Sequence, residues 1–189
     1  RDDDAPESSV RAARAAAGSP ALAAERSRSR FGGGILLLTA APTLRRLVIE
    51  SNRSEYGGGL YALQTAPTLD DCRFVKNTAG RGAGVYLEQT DGARFERCRF
   101  DSNLGAIGGA VALIQGGAEF DSCWFEANRA AEGGAVHILD GGPARFARSV
   151  FYRNEAGEGS VALALGSVLE LVSCTAVGNG LADTEPATI

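Results

Sequence analysis

The sequence predicts an all-β chain wound as a right-handed parallel β-helix: a single-stranded solenoid of about six coils of 25–26 residues, with a non-repeat N-terminal segment. Three observations predict it. Asparagines recur at Asn52, Asn77, Asn103, Asn128, Asn154 and Asn179, at intervals of 25, 26, 25, 26 and 25 residues. Apolar columns keep step with them. A glycine-led strand follows each of the first five asparagines at a nearly fixed distance.

The apolar columns lie before each asparagine. Three residues before stand Ile49, Phe74, Phe100, Phe125, Phe151 and Ala176. Five before stand Leu47, Cys72, Cys98, Cys123, Ser149 and Cys174, and eight before stand Leu44, Leu69, Phe95, Phe120, Phe146 and Leu171. The second marker is the small residue at Gly34, Gly59, Gly84, Ala110, Ala135 and Ser160; from Gly59 on it stands seven residues after an asparagine, and six in the last coil. Each opens a V-x-L-like strand such as Val85/Leu87, Val111/Leu113 or Val161/Leu163. Alternation with period two means strands with one face inward. A meander of hairpins would not return the same residue type at the same point of every repeat, whereas coil stacked on coil does. The extra residue of some repeats is expected in turns, near Asp91-Gly92, Asp140-Gly141-Gly142 and Gly166.

Stacked asparagines suit a buried turn, because their amides bond each other and the backbone, and asparagine tolerates left-handed φ. The 25 glycines, nearly double the usual share of about 7%, suit the opposite corner, where the chain turns sharply and passes close to its neighbours. The six asparagines are therefore read as a structural ladder running the length of the molecule.

The segments Phe74-Val75-Lys76-Asn77, Phe100-Asp101-Ser102-Asn103, Phe125-Glu126-Ala127-Asn128 and Phe151-Tyr152-Arg153-Asn154 pair with Gly108-Gly109-Ala110-Val111 and Gly133-Gly134-Ala135-Val136. This F-x-x-N and G-G-A-[VI] pattern, over about residues 31–180, resembles the repeat of the chlamydial polymorphic outer-membrane proteins, surface β-helix passengers. The resemblance implies adhesion or surface display, and hence a cell-surface or secreted location. An intracellular assembly subunit stays open. The first and last coils depart from it at Ile49 and Ala176, and none of these 189 residues is expected to form the translocating barrel of such passengers.

Residues 1–30 form a separate region rich in Asp, Ala, Arg and Ser: a cap, an arm or a tail. A short helix is expected over Val10–Ala17 and a degenerate coil from about Pro20, since Leu22 and Ser27 sit one period before Leu47 and Asn52. Residues 31–180 make the β-helix and 181–189 a C-terminal tail. No methionine occurs anywhere, as expected of a processed product or an excised fragment.

The net charge of −4 gives no electrostatic case for nucleic acid, and no run of roughly 18 apolar residues is present to span a membrane as a helix. The four cysteines share one inward column without a C-x-x-C pair, which points to buried thiols rather than zinc. No metal or other cofactor is expected. His137, the lone histidine, is expected on the outer side of its strand without a catalytic partner. Asp70, Glu96 and Asp121 form an acidic column on the outside of another sheet. They fit calcium binding, or the acid and base of a polysaccharide-cleaving enzyme. The neighbouring column Arg94, Glu119, Arg145 and Glu170, with Arg73, Arg97 and Arg99 beside it, offers a solvated ion-pair ladder instead.

The outer side of the V-x-L sheet is expected to display Leu36, Leu38, Tyr61, Leu63, Tyr86, Ile114, His137 and Leu139, with Glu88 the one charge among them. Such a patch either lies under the N-terminal segment or a turn, or docks a protein partner. The sequence reading is thus a non-catalytic scaffold for protein–protein or adhesion contacts, through that face or the open helix ends. A carbohydrate-active β-helix enzyme is the alternative, with carbohydrate an open partner class. Near-minimal, regular turns favour the scaffold.

Overall fold

The computed structural model describes residues 30–181. The expected helix at Val10–Ala17, the degenerate coil from Pro20 and the tail beyond residue 181 lie outside the described residues.

The first coil comprises β1 (Ile35–Leu38), β2 (Thr43–Arg45), β3 (Val48–Glu50) and β4 (Arg53–Tyr56). The second comprises β5 (Leu60–Leu63), β6 (Thr68–Asp70), β7 (Arg73–Val75) and β8 (Thr78–Arg81). The third comprises β9 (Val85–Glu88), β10 (Asp91–Glu96), β11 (Arg99–Asp101) and β12 (Leu104–Ile107). Each remaining coil has three strands: β13 (Val111–Ile114), β14 (Gly117–Asp121) and β15 (Trp124–Glu126); β16 (Val136–Leu139), β17 (Ala144–Ala147) and β18 (Val150–Tyr152); β19 (Ala162–Leu165), β20 (Leu169–Val172) and β21 (Thr175–Val177). Every pairing is parallel and joins one coil to the next. Three six-stranded sheets result, β1-β5-β9-β13-β16-β19, β2-β6-β10-β14-β17-β20 and β3-β7-β11-β15-β18-β21, with a shorter sheet β4-β8-β12. In the fourth and fifth coils the leg after the asparagine continues that short sheet as bridges, Ile107 to Glu132 and Glu132 to Glu158.

The registers turn each sequence column into a physical one. Phe74, Phe100, Phe125 and Phe151 are paired in order, with ring centroids 5.1, 4.7 and 4.8 Å apart. A second stack, Phe95, Phe120 and Phe146, runs beside the first at 4.6 Å per step. The two stacks meet edge to face, as at Phe120–Phe125, 5.9 Å apart and tilted 63°. Each buried ring stabilises by roughly 1.5–3 kcal/mol, and the edge contacts add the quadrupole term of aromatic pairs.

Four corners per coil carry positive φ. Three take residues with side chains: Thr39, Gln64, Gln89, Gln115 and Asp140; then Arg46, Asp71, Arg97, Ser122, Arg148 and Ser173; then Ser51, Lys76, Ser102, Ala127 and Arg153. The left-handed residue at the third corner is the one before the asparagine, not the asparagine. That conformation expected of the asparagines is corrected: a φ reversal at Lys76 or Ser102 rotates the next side chain inward, where the amide is needed. The fourth corner is glycine throughout, Gly57, Gly82, Gly108 and Gly133 among them. A Cβ at Gly57 would stand 2.3 Å from the Leu60 carbonyl oxygen, so space excludes a side chain as firmly as φ does.

The sixth coil is one residue out of the sequence alignment. Val136 pairs with Ala162 and Ile138 with Ala164, so Val161 occupies the small-residue position, and the leg from Asn154 keeps the same seven residues as every other coil. Leu163 therefore faces outward beside His137. The expected insertion near Gly166 disappears with this register, while Gly92 does form a bulge between Asp91 and Ala93.

Candidate functional site

Inside the coil, the asparagine column is a continuous polar wire. Asn77 Nδ2 donates to Asn103 Oδ1 at 3.1 Å and to the Ile49 carbonyl at 2.8 Å, and Asn77 N–H donates to the same Oδ1 at 3.0 Å. The pattern repeats through Asn128 and Asn154 to Asn179. Asn52, Asn77, Asn103, Asn128 and Asn154 are at most 1% exposed, so the bonds among these five are shielded from water. The wire has a direction. Its acceptor end, Asn52 Oδ1, is buried without a hydrogen-bond partner among the described residues, and at its other end Asn179 Nδ2 turns back to the Val177 carbonyl at 3.3 Å.

The cysteine column is equally internal. Cys72, Cys98, Cys123 and Cys174 are free thiols, and the first three are buried. Each donates to a carbonyl of the preceding coil, as Cys98 Sγ does to Leu69 at 3.6 Å and Cys123 Sγ to Phe95 at 3.4 Å. Contact with the next thiol, together with burial, pushes the Cys72 and Cys98 thiols well above the ordinary range. Ser149 holds the same column position by donating to the Ala147 carbonyl and accepting from Cys123 N–H at 3.1 Å.

On the charged sheet, Arg94 meets Glu119 at 3.3 Å and Arg145 meets Glu170 at 3.0 Å. The acids of the next column are each engaged as well: Asp70 by Arg97 and, at 4.0 Å, Arg45; Glu96 by Arg97 at 3.6 Å; Asp121 by Arg148. Around Asp70 the surface dips into an open hollow of about 300 Å³ lined by Arg45, Arg46, Asp70, Asp71 and Arg97. No group of three or more His, Cys, Asp or Glu among the described residues is placed to hold a metal ion.

The outer V-x-L face differs from its expectation. Leu38 is exposed and Leu36, Leu63, Ile114 and Leu139 are half-buried, but Tyr61, Tyr86 and His137 are buried. The exposure expected of those three is corrected, and the leg after each asparagine supplies the reason. That leg presents Tyr56, Arg81, Ile107, Glu132 and Glu158 in register. The glycine corner then folds it against the outer side of the V-x-L sheet. Tyr56 meets Tyr86 edge-on at 5.4 Å, Phe31 meets Tyr61 at 5.0 Å, and Glu132 lies 3.6 Å from His137 Nε2. Tyr61 and Tyr86 stack at 5.4 Å with Ala112 beside them, forming a second hydrophobic cluster outside the coil. The Tyr61 hydroxyl donates to Glu88 at 2.6 Å; burial first, then that carboxylate, raises its pKa. Sequence reasoning missed this column four residues after each asparagine. Its signal was the run Tyr56, Arg81, Ile107, whose long side chains sit where a minimal turn needs none.

No helix among the described residues is long and apolar enough to cross a membrane. No curated protein and no solved structure matches the chain. The family model described as the right handed beta helix region matches residues 25–182, and the chain belongs to the right-handed β-helix family.

Proposed function

We propose that this chain is a non-catalytic β-helical scaffold that mediates protein–protein contacts. One observation carries the reading: Asp70, Glu96 and Asp121, the acids best placed for chemistry on the charged sheet, are each held by arginine. A general acid or base needs a carboxyl group free to exchange a proton with substrate. A guanidinium lying against a carboxylate occupies lone pairs and a face that substrate would have to reach. The short regular turns support the same reading, since they raise no walls around the sheet. The finer reading, an adhesion module displayed at a cell surface, rests on the F-x-x-N and G-G-A-V repeat.

The hollow beside Asp70 favours the second reading, a carbohydrate-active enzyme, because arginines and carboxylates there could hold an acidic sugar. The discriminating experiment incubates the chain with a panel of acidic polysaccharides, with and without calcium. The scaffold reading expects no cleavage. Cleavage that disappears in Asp70→Ala or Asp121→Ala would replace it with the enzyme reading.

A further inference from the structure

From Asn77 to Asn179, every Oδ1 of the amide wire accepts from two donors on the asparagine one coil earlier, its backbone N–H and its Nδ2. Asn52 Oδ1 faces the same way and is buried with no partner among the described residues. Asn52 as a whole is 1% exposed, so bulk water does not reach it. Buried acceptors of this kind are almost always filled. The site asks for two donors on one residue, positioned one coil before Asn52.

The register of the described residues points to that residue. Phe31 bridges Tyr56 in parallel, and the Arg30 carbonyl accepts from the Glu55 and Tyr56 N–H groups at 3.2 and 3.0 Å. Gly33 N–H donates to the Gly57 carbonyl at 3.0 Å, and Arg30 Nε meets Glu55 at 3.2 Å. Residues 30–34 therefore run as the end of a leg and a glycine corner, 25 residues ahead of 55–59. Asn52, Asn77, Asn103 and Asn128 each stand seven residues before the small residue of their corner, Gly59, Gly84, Ala110 and Ala135. Seven residues before Gly34 is Ser27, only three before Arg30.

We infer that residues 22–29, which lie outside the described residues, lay a partial coil along β3, and that Ser27 completes the wire by donating its N–H and its hydroxyl to Asn52 Oδ1. The edge of β3 that would receive it is unpaired among the described residues. Three residues of chain span at most about 10 Å, so the segment entering at Arg30 is delivered to this edge and nothing else reaches it first. The same offset sets Leu22 over Leu47 and Ala24 over Ile49, apolar on apolar, and Arg26 at the corner taken by Lys76 and Arg153. Serine already serves as a column substitute in this chain. Ser149 donates to the Ala147 carbonyl and accepts from Cys123 N–H. At the start of a ladder no further amide has to be received, so a hydroxyl suffices where an asparagine would otherwise stand. The inference goes beyond the scaffold reading and holds whether or not the chain cleaves polysaccharide. It assigns the edge of β3 to the chain itself rather than to a partner.

Two measurements on the whole chain test it. Amide hydrogen exchange of the native protein should find the Ser27 N–H slowed at least about a hundredfold against its unstructured rate. Urea unfolding should show Ser27→Ala lowering the folding equilibrium constant about fivefold, and Ser27→Pro, which also lacks the N–H, lowering it further. Ser27→Asn should match or exceed the native chain, because it restores the ladder residue. In an Asn52→Ala background the effect of Ser27→Ala should vanish. An unprotected Ser27 amide, a Ser27→Ala variant as stable as the native chain, or an equal loss with and without Asn52 would each overturn the inference. So would an unfolding midpoint that rises with chain concentration and ignores Ser27, which would give the edge to a second copy.

Discussion

Asn103 Nδ2 donates to Asn128 Oδ1 at 2.9 Å across one coil step, while its other proton goes to the Phe74 carbonyl at 2.9 Å. One side chain thus joins three successive coils, because its own Oδ1 accepts from both Asn77 nitrogens. Asparagine is the residue that can do this: two donors and one strong acceptor on a stem short enough to stay in the turn.

Replacing Asn103 with alanine removes every one of these bonds and strands the Asn77 N–H, the Asn77 amide and the Phe74 carbonyl in a dry interior. The expected loss is about 3 kcal/mol or more in urea unfolding. Asn179→Ala, at the half-exposed end of the wire, should cost about 1 kcal/mol because water replaces what it loses. Equal losses at the two positions would contradict a ladder whose strength lies in its burial.

The buried tyrosines make a sharper test of the outer cluster. Tyr61→Asp should destabilise by about 3 kcal/mol or more, since it removes a stacked ring and sets a second carboxylate beside Glu88. Leu38→Asp, at an exposed position of the same sheet face, should change stability by less than about 0.5 kcal/mol. Thermal unfolding of the two variants reads the difference directly.

These two residues mark how far the sequence could be read. In the first five coils the inward columns were legible, because a column of like residues at a fixed period has one geometric meaning: Asn77 over Asn103, Phe100 over Phe125, Cys98 over Cys123. The outer face was legible only to its direction. Alternation places Tyr61 and Leu38 on the same side of the strand, and nothing in the period tells that Tyr56 and Phe31 fold over the one and leave the other bare. The sixth coil failed for the opposite reason. Val161-Ala162-Leu163 imitates the V-x-L strand, and the similarity outweighed the constant seven-residue leg that the backbone keeps. The charged sheet was legible as a choice between a site and an ion-pair ladder, and which arginine holds which acid is a matter of side-chain reach.

His137 gives the chain a pH dependence with a definite sign. Burial holds its pKa below the ordinary histidine value, with Glu132 pulling it back up and Arg81 pushing it further down. The unfolded chain therefore takes up a proton near pH 6.5, where the folded one still resists it. Stability should be full above that pH and fall as the pH drops through it. His137→Leu matches the outward leucine at the next coil, Leu163, and should flatten this part of the profile. An unchanged slope between the native chain and His137→Leu would show that other groups set it.

The cysteine column predicts graded reactivity. Under native conditions a thiol reagent should modify Cys174, which is partly exposed, and leave Cys72, Cys98 and Cys123 untouched. The buried thiols are shielded, Cys72 and Cys98 also hold their protons more tightly than a free thiol, and the thiolate is the reactive form. In denaturant all four should react at similar rates. Rapid native modification of Cys98 would mean that the middle of the column opens to solvent.

The central claim is that coils lie directly over one another at one strand spacing. Thr39, Gln64, Gln89, Gln115 and Asp140 form an outer corner column, so Thr39 and Asp140 are four coil steps apart. Spin labels at Thr39→Cys and Asp140→Cys, with Cys174→Ser to silence the accessible thiol, measure that distance by pulsed dipolar spectroscopy. Four steps of about 4.8 Å predict a single narrow distribution between backbones near ~19 Å, widened only by the label arms. A distribution centred well beyond ~30 Å, or one spread across many distances, would contradict the stacked solenoid.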